Sequence, residues 1–259
     1  MKPRQVVRAA LRDEWDGLDR ITRDIRPADV ATMANALLGL VAIVLATRGH
    51  PEAAAHLVLA GIILDGVDGA IARMGGGGGP LGGFLDSIAD MVTFAVAPAV
   101  LLTTLDVPLS WSLSAGAFFL VCVALRLARF EALREKAPQR YFSGMSSPGG
   151  ALVVVSATLW QPAMVASVPV WLPLAAAIAM GPLLVSRIRY PKLRGALGAA
   201  AVLMILATLA TWQAAPQHHG TALSLMLAFM LVYLVAGPFY VLQRVGPTPD
   251  PRAAAPEDA

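Results

Sequence analysis

The chain has 259 residues, a formal charge of +3 and a mean hydropathy of +0.65, with 57% hydrophobic and 14% charged residues. A soluble domain carries about 25% charged residues, so a water-soluble two-domain enzyme is excluded, as are intrinsic disorder and, with Cys122 as the lone cysteine, a disulfide scaffold. What is left is an integral membrane protein of roughly eight spans of about 20 residues, whose small positive charge implies no nucleic-acid partner.

Residues 1–29 are charged throughout and contain no apolar stretch of a secretory signal's length, so none is expected. Val7, Leu11, Trp15, Leu18, Ile21 and Ile25 recur at three- and four-residue steps, which predicts an amphipathic helix lying in the membrane interface. Eight apolar segments follow: 30–46, 53–73, 83–105, 109–130, 148–160, 163–185, 196–212 and 221–241. The fifth is short and leads through Gln161-Pro162 into the sixth, as the two arms of a bent hairpin would. Residues 246–259, rich in Pro, Ala and acidic side chains, read as a disordered tail.

Of the twenty Lys and Arg residues, only Arg48 falls on the far side of this arrangement; the other nineteen lie before the first span, after an even-numbered one, or at its end. The positive-inside rule then places both termini in the cytoplasm of the cell. His218 and His219 fall on the far side and carry little weight as a metal site from sequence alone. Cys122 reads as a small apolar packing residue.

The chemistry is concentrated in one stretch. Asp65 and Asp68 are three residues apart, and Asp86 and Asp90 four apart, on two adjacent predicted spans. Each pair shares a helix face, and the short loop between the spans makes them antiparallel neighbours. A carboxylate in the bilayer costs a few kcal/mol unless paired, hydrated or bound to a cation. Four converging carboxylates carry too much like charge to stay ionised without cations, and hard ions such as Mg²⁺ or Mn²⁺ prefer oxygen ligands and bridge them to phosphates. Gly66, Gly69, Ala72, Gly82 and Gly83 allow close approach of a backbone or a ligand. The run Gly75–Gly79 leads into Pro80-Leu81 rather than the Gly-Lys-Ser/Thr of a phosphate loop, and reads as a turn.

The 26 residues from Asp65 to Asp90 fit the pattern D-x2-D-G-x2-A-R-x8-G-x3-D-x3-D at every fixed position. This resembles the signature of the CDP-alcohol phosphotransferases. The resemblance implies a six-helix membrane core, often homodimeric, with a polar cavity open to the cytoplasm. It implies transfer of a phosphatidyl-type group from a CDP-linked lipid to an alcohol, with release of CMP. By the same resemblance Asp65, Asp68 and Asp86 bind two divalent ions, and Asp90 is the base, with a metal-binding role for it in some members. Gly69, Ala72, Arg73 and Gly82 then border the CDP-lipid.

Three further stretches resemble the phosphatidylserine synthase branch: Asp86-Ser-Ile-Ala-Asp90 through Pro98, Arg126-Leu-Ala-Arg129-Phe130 with Phe142 through Pro148, and Ser186 through Lys192. Thr93, Ala95, Glu131 and Ser146 depart from that branch's usual residues. The implied donor is CDP-diacylglycerol or CDP-archaeol, and the implied acceptor L-serine. Arg126 and Arg129 are candidates for a lipid phosphate or the serine carboxylate, or else ordinary cytoplasmic flanking charges. Thr32 and Asn35 can touch the nucleotide, although a helix cap or an interhelical hydrogen bond accounts for them equally well.

The resulting division is an arm (1–29), a catalytic domain (30–192), additional helices (193–245) and a tail (246–259). The alternatives are another acceptor, such as glycerol phosphate or inositol phosphate, and a cation transporter, which would be expected to show internal repeats or broken helices.

Overall fold

The computed structural model describes residues 26–74, 80–134, 141–163, 169–193 and 195–245. The expected amphipathic arm up to residue 25, the glycine turn at 75–79 and the tail lie outside the described residues. Nine α-helices stand within them: α1 Pro27–Thr47, α2 Pro51–Met74, α3 Pro80–Asp90, α4 Ala97–Leu102, α5 Leu109–Arg134, α6 Ser147–Ala163, α7 Leu172–Val185, α8 Ala196–Ala214 and α9 Pro216–Val245. Six stretches are long and apolar enough to cross a membrane, among them Gly82–Leu102, which runs through α3 and α4; α6 and α7 are shorter apolar helices. The chain is thus a polytopic helical membrane protein. Its helices expose large apolar side chains, including Leu37, Leu40 and Val44 of α1, a surface that water does not favour and lipid does.

Helix α1 starts three residues earlier than the apolar pattern predicts. Pro27 occupies its first turn, and Asp29 accepts the Arg26 backbone N–H at 2.8 Å, an N-terminal cap that hydropathy does not register. It stops at Gly49, whose φ of +83° lets the chain reverse while the His50 N–H reaches the Leu45 carbonyl at 2.9 Å.

The third expected span is not one regular helix. Between α3 and α4 the backbone widens into a π-helical segment, Met91–Val96, in which the Ala97 N–H donates to the Val92 carbonyl five residues back. Pro98 has no N–H to give Phe94, which explains why the regular ladder fails just there. The widened turn begins one residue after Asp90 and is packed tightly. Thr93 is fully buried and donates its hydroxyl to the Asn35 carbonyl at 2.9 Å. A Cβ on Gly39 of α1 would lie 2.8 Å from the Thr93 Cα, and one on Gly61 of α2 2.7 Å from its methyl, so both glycines are required by the approach of three backbones.

The two short helices carry a small addition to the all-helical expectation. Tyr141–Ser143 (β1) pairs antiparallel with Arg189–Pro191 (β2), Phe142 opposite Tyr190. Gly144, with φ +82°, turns the chain out of β1, and its N–H donates to the Ile188 carbonyl at 2.8 Å. Helix α9 packs on α8, α6 and this ribbon. The Tyr233 hydroxyl donates to the Pro191 carbonyl at 2.8 Å, and the Trp160 Nε1–H to the Ser224 hydroxyl at 3.0 Å. The buried core is built around Leu59, Phe94, Leu101, Leu102, Phe119, Met145 and Leu184.

Candidate active site

Asp65 and Asp68 project from one face of α2 toward Asp86 of α3, and one oxygen from each lies within 4.8 Å of the others. Spacing of three residues along α2 brings the first two together, and the return of the chain as α3 supplies the third. Asp68 is buried and fixed: the Thr32 hydroxyl of α1 stands 2.8 Å from its Oδ2. Asp90, at the end of α3, lies against Asp65. It is 7% exposed, and its Oδ1 is buried with no hydrogen-bond partner.

A cavity of about 580 Å³ opens beside the cluster between α1, α2 and α3. Thr32, Asp68, Gly69, Ala72, Gly82 and Asp86 are on its wall. Small residues on two facing helices keep it open: a Cβ on Gly82 would sit 2.7 Å from Asp29 Oδ1. Asp29 and Arg26 also line the cavity. Sequence reasoning missed both, because they precede the apolar run that marks the first span; the signal available was the Pro27-Ala-Asp29 helix start.

The structure brings together most of the residues expected at the site. Arg73 is exposed at the end of α2 and lies along the helix, its Nη1 3.3 Å from the position a Gly69 Cβ would take. Asn35 is placed elsewhere. It is 1% exposed, lies beside Gly61 at the junction with Thr93, and is not on the cavity wall.

The two arginines of α5 separate. Arg126 is buried, and its charge acts on Asp90, Asp65 and Asp86. Its Nε–H donates to the Met145 carbonyl at 2.7 Å and its Nη1–H to the Ser147 hydroxyl, so the turn after β1 aims it. Arg129 instead gathers backbone carbonyls, Ser143 at 2.6 Å, Val185 at 2.7 Å and Ser186 at 3.1 Å. It closes the C-terminal end of α7, whose last carbonyls have no intrahelical partners, onto the ribbon. Glu131, the departure from the branch pattern, accepts the Ser87 hydroxyl at 3.0 Å and so links α5 to α3 between Asp86 and Asp90.

The donor set fits a hard divalent cation: three carboxylates with converging oxygens, no sulfur or imidazole among them, and a fourth buried carboxylate oxygen that lacks a partner. Such a cluster beside a cavity walled by both polar side chains (Thr32, Asp68, Asp86) and apolar ones (Ile71, Met74) suits an anionic, phosphate-bearing ligand with an apolar part in lipid. The profile of the CDP-alcohol phosphatidyltransferase family matches residues 26–202, from the start of α1 into α8.

The chain belongs to the CDP-alcohol phosphatidyltransferase family.

Its relatives within that family carry similar names. A CDP-diacylglycerol–serine O-phosphatidyltransferase of Mycobacterium leprae is 42% identical over 132 residues, 48% of this chain and 43% of that protein. One of Methanocaldococcus jannaschii is 37% identical over 173 residues, 66% of this chain and 77% of that protein. An archaetidylserine synthase of Methanothermobacter thermautotrophicus is 32% identical over 183 residues, 68% and 74% of the two chains. The chain thus spans less than half the length of the mycobacterial relative. Most of α8 and all of α9 lie beyond the family match, which ends at residue 202.

Proposed function

We propose that this CDP-alcohol phosphatidyltransferase transfers a phosphatidyl or archaetidyl group from CDP-diacylglycerol or CDP-archaeol to the hydroxyl of L-serine, releasing CMP. The observation that carries the reading is the convergence of Asp65, Asp68 and Asp86 beside the cavity between α1 and α3. The names of the relatives support serine as the acceptor.

In this reading the cavity takes the CDP moiety, Gly69, Ala72 and Gly82 leave room for it, and Thr32 holds Asp68 in register. Asp65, Asp68 and Asp86 hold divalent cations, Mg²⁺ or Mn²⁺, with Asp90 near enough to contribute. When bound, those ions neutralise the pyrophosphate and stabilise the departing phosphate oxygens. The serine hydroxyl attacks the lipid-side phosphorus, the bond from that phosphorus to the CMP oxygen breaks, and Asp90 accepts the hydroxyl proton. Arg126, aimed by Met145 and Ser147, orients an anionic group of lipid phosphate or serine carboxylate beside Asp90. Arg129 holds the turn that aims Arg126.

The catalytic unit is residues 30–192 together with the first turn of α1. The protein sits in the cell membrane with both termini and the aspartate end facing the cytoplasm, as the distribution of basic residues predicts. A homodimer is consistent with the apolar face of α1.

The test is CMP release by purified protein with CDP-diacylglycerol or CDP-archaeol, Mg²⁺ or Mn²⁺, and a panel of alcohols. Serine is expected to be the best acceptor; faster release with glycerol 3-phosphate or an inositol phosphate would reassign it. For orientation, a cysteine introduced at Asp106 is expected to be labelled from outside intact cells and one at Ile188 is not.

A further inference from the structure

The cavity wall carries two polar side chains that the transfer chemistry does not use, Arg26 and Asp29 at the start of α1. Asp29 is 5% exposed, and its two oxygens face different ways. Oδ2 accepts the Arg26 backbone N–H at 2.8 Å and so starts the helix. Oδ1 faces α3 at Gly82, 2.7 Å from the point a Cβ there would take. Gly82 lies four residues before Asp86, and Asp29 lies three residues before Thr32, which holds Asp68. Asp29 therefore stands about one helical turn, roughly 5 Å, from the aspartate cluster along either helix. Its charge acts on Asp68, but it is not one of the three carboxylates whose oxygens converge.

What this carboxylate can bind follows from the rest of the wall. Of the polar side chains described there, Arg26 can only donate. The Thr32 hydroxyl stands 2.8 Å from Asp68 Oδ2 and 3.1 Å from the Ala28 carbonyl, so its proton is spent within the protein. Asp68 and Asp86 belong to the cation cluster. Asp29 Oδ1 is left as the carboxylate acceptor outside that cluster. On α2, Ile71, Ala72 and Met74 add apolar surface to the same wall, which suits the face of a flat ring. Cytosine presents a 4-amino donor at the ring position where uracil presents a carbonyl oxygen, and a carboxylate pairs with the first and repels the second.

We propose that Asp29 selects cytosine over uracil in the nucleotide donor, its Oδ1 accepting from the 4-amino group of the base. The inference rests on the reading of the cavity as the CDP site and adds which side chain reads the base. It also gives Gly82 a second reason to lack a side chain, since a Cβ at that position would cover the oxygen that the base must reach.

The experiment titrates the full chain, in Mg²⁺, with CMP, UMP and dCMP, and reads the dissociation constants by calorimetry. The parent is expected to bind CMP about 10–100-fold more tightly than UMP. Asp29→Asn keeps an oxygen for the Arg26 N–H and thereby turns its NH₂ to the place of Oδ1. Its melting temperature is expected to match that of the parent, while its preference for CMP over UMP falls to about one. Asp29→Ser also caps the helix but is too short to reach the base, and is expected to lose the same preference. In both variants the ratio of CMP to dCMP affinity stays that of the parent.

A folded Asp29→Asn that keeps the parent's CMP-to-UMP ratio overturns the proposal. An equal loss for CMP and UMP overturns it too, because Asp29 would then act through Asp68 as a positioning residue. So does a change confined to the CMP-to-dCMP ratio, which would move the contact to the ribose. A parent that binds CMP no better than UMP overturns this inference and the CDP reading of the cavity together, and that outcome is distinct from the other three.

Discussion

The two ends of α2 treat buried polar side chains differently. At the C-terminal end, Asp65, Asp68 and Asp86 converge beside a cavity, with Thr32 holding Asp68 in place. At the N-terminal end, His56 is covered by the indole of Trp212 and the ring of His219. The first arrangement leaves room for a large anionic ligand next to its carboxylates. The second fills its space with packed rings. Both follow from i,i+3 or i,i+4 placement on one helix, and the difference lies in what the neighbouring helices bring. Small residues on α3 keep the aspartate end open, while an aromatic residue on α8 closes the other.

Substitutions at the open end carry the largest expected effects. Asp86→Asn removes one of three converging oxygens, and is expected to abolish CMP release and metal-dependent binding of the CDP-lipid together, read by turnover and by liponucleotide binding with and without Mg²⁺. Asp90→Asn keeps its shape and loses its basicity. Turnover with serine is expected to fall by about 10²–10⁴-fold while metal-dependent liponucleotide binding is largely kept; near-normal turnover would remove Asp90 from proton transfer.

Between the two ends, the junction of α1, α2 and the π-helical segment tests packing alone. Gly39→Ala would place a Cβ 2.8 Å from the Thr93 Cα, and overpacking of this kind costs about 1–3 kcal/mol. The expected readout is a lower melting temperature, with any residual activity showing an unchanged preference among alcohols. The smallest effect is expected from Tyr233→Phe, which deletes one hydrogen bond to the Pro191 carbonyl and should cost about 1 kcal/mol. If Tyr233→Phe instead lowers turnover as much as Asp90→Asn, the α9 contact with the ribbon is part of the catalytic arrangement and the separation between the two regions fails.

Legibility in the sequence follows the range of the interaction. Four aspartates within 26 residues can be read as one site because two adjacent helices joined by a short loop must lie side by side. Asp29 was hidden by a boundary drawn from hydropathy, although a Pro two residues before it marks the helix start. Residues 83–105 read as one uniform span, and Pro98 was the one sign that the ladder breaks into a π-helical segment behind Asp90. Arg126 and Arg129 were equivalent in the sequence, three apart with the same charge. Their roles diverge because α7 ends beside one of them and the turn at Met145–Ser147 reaches the other.

Membrane residence, the run of apolar helices and the aspartate cluster were determined by the sequence alone, since they depend on transfer free energy and on periodicity within or between adjacent segments. Tertiary structure decided what those rules do not reach. It buried Asn35 against Gly61 and the carbonyl-bonded Thr93 instead of on the cavity wall, paired β1 with β2 under α9, and set His219 against His56. Each of these joins segments far apart in the chain, and such pairings are selected by how whole helices fit together, which no local pattern of residues encodes.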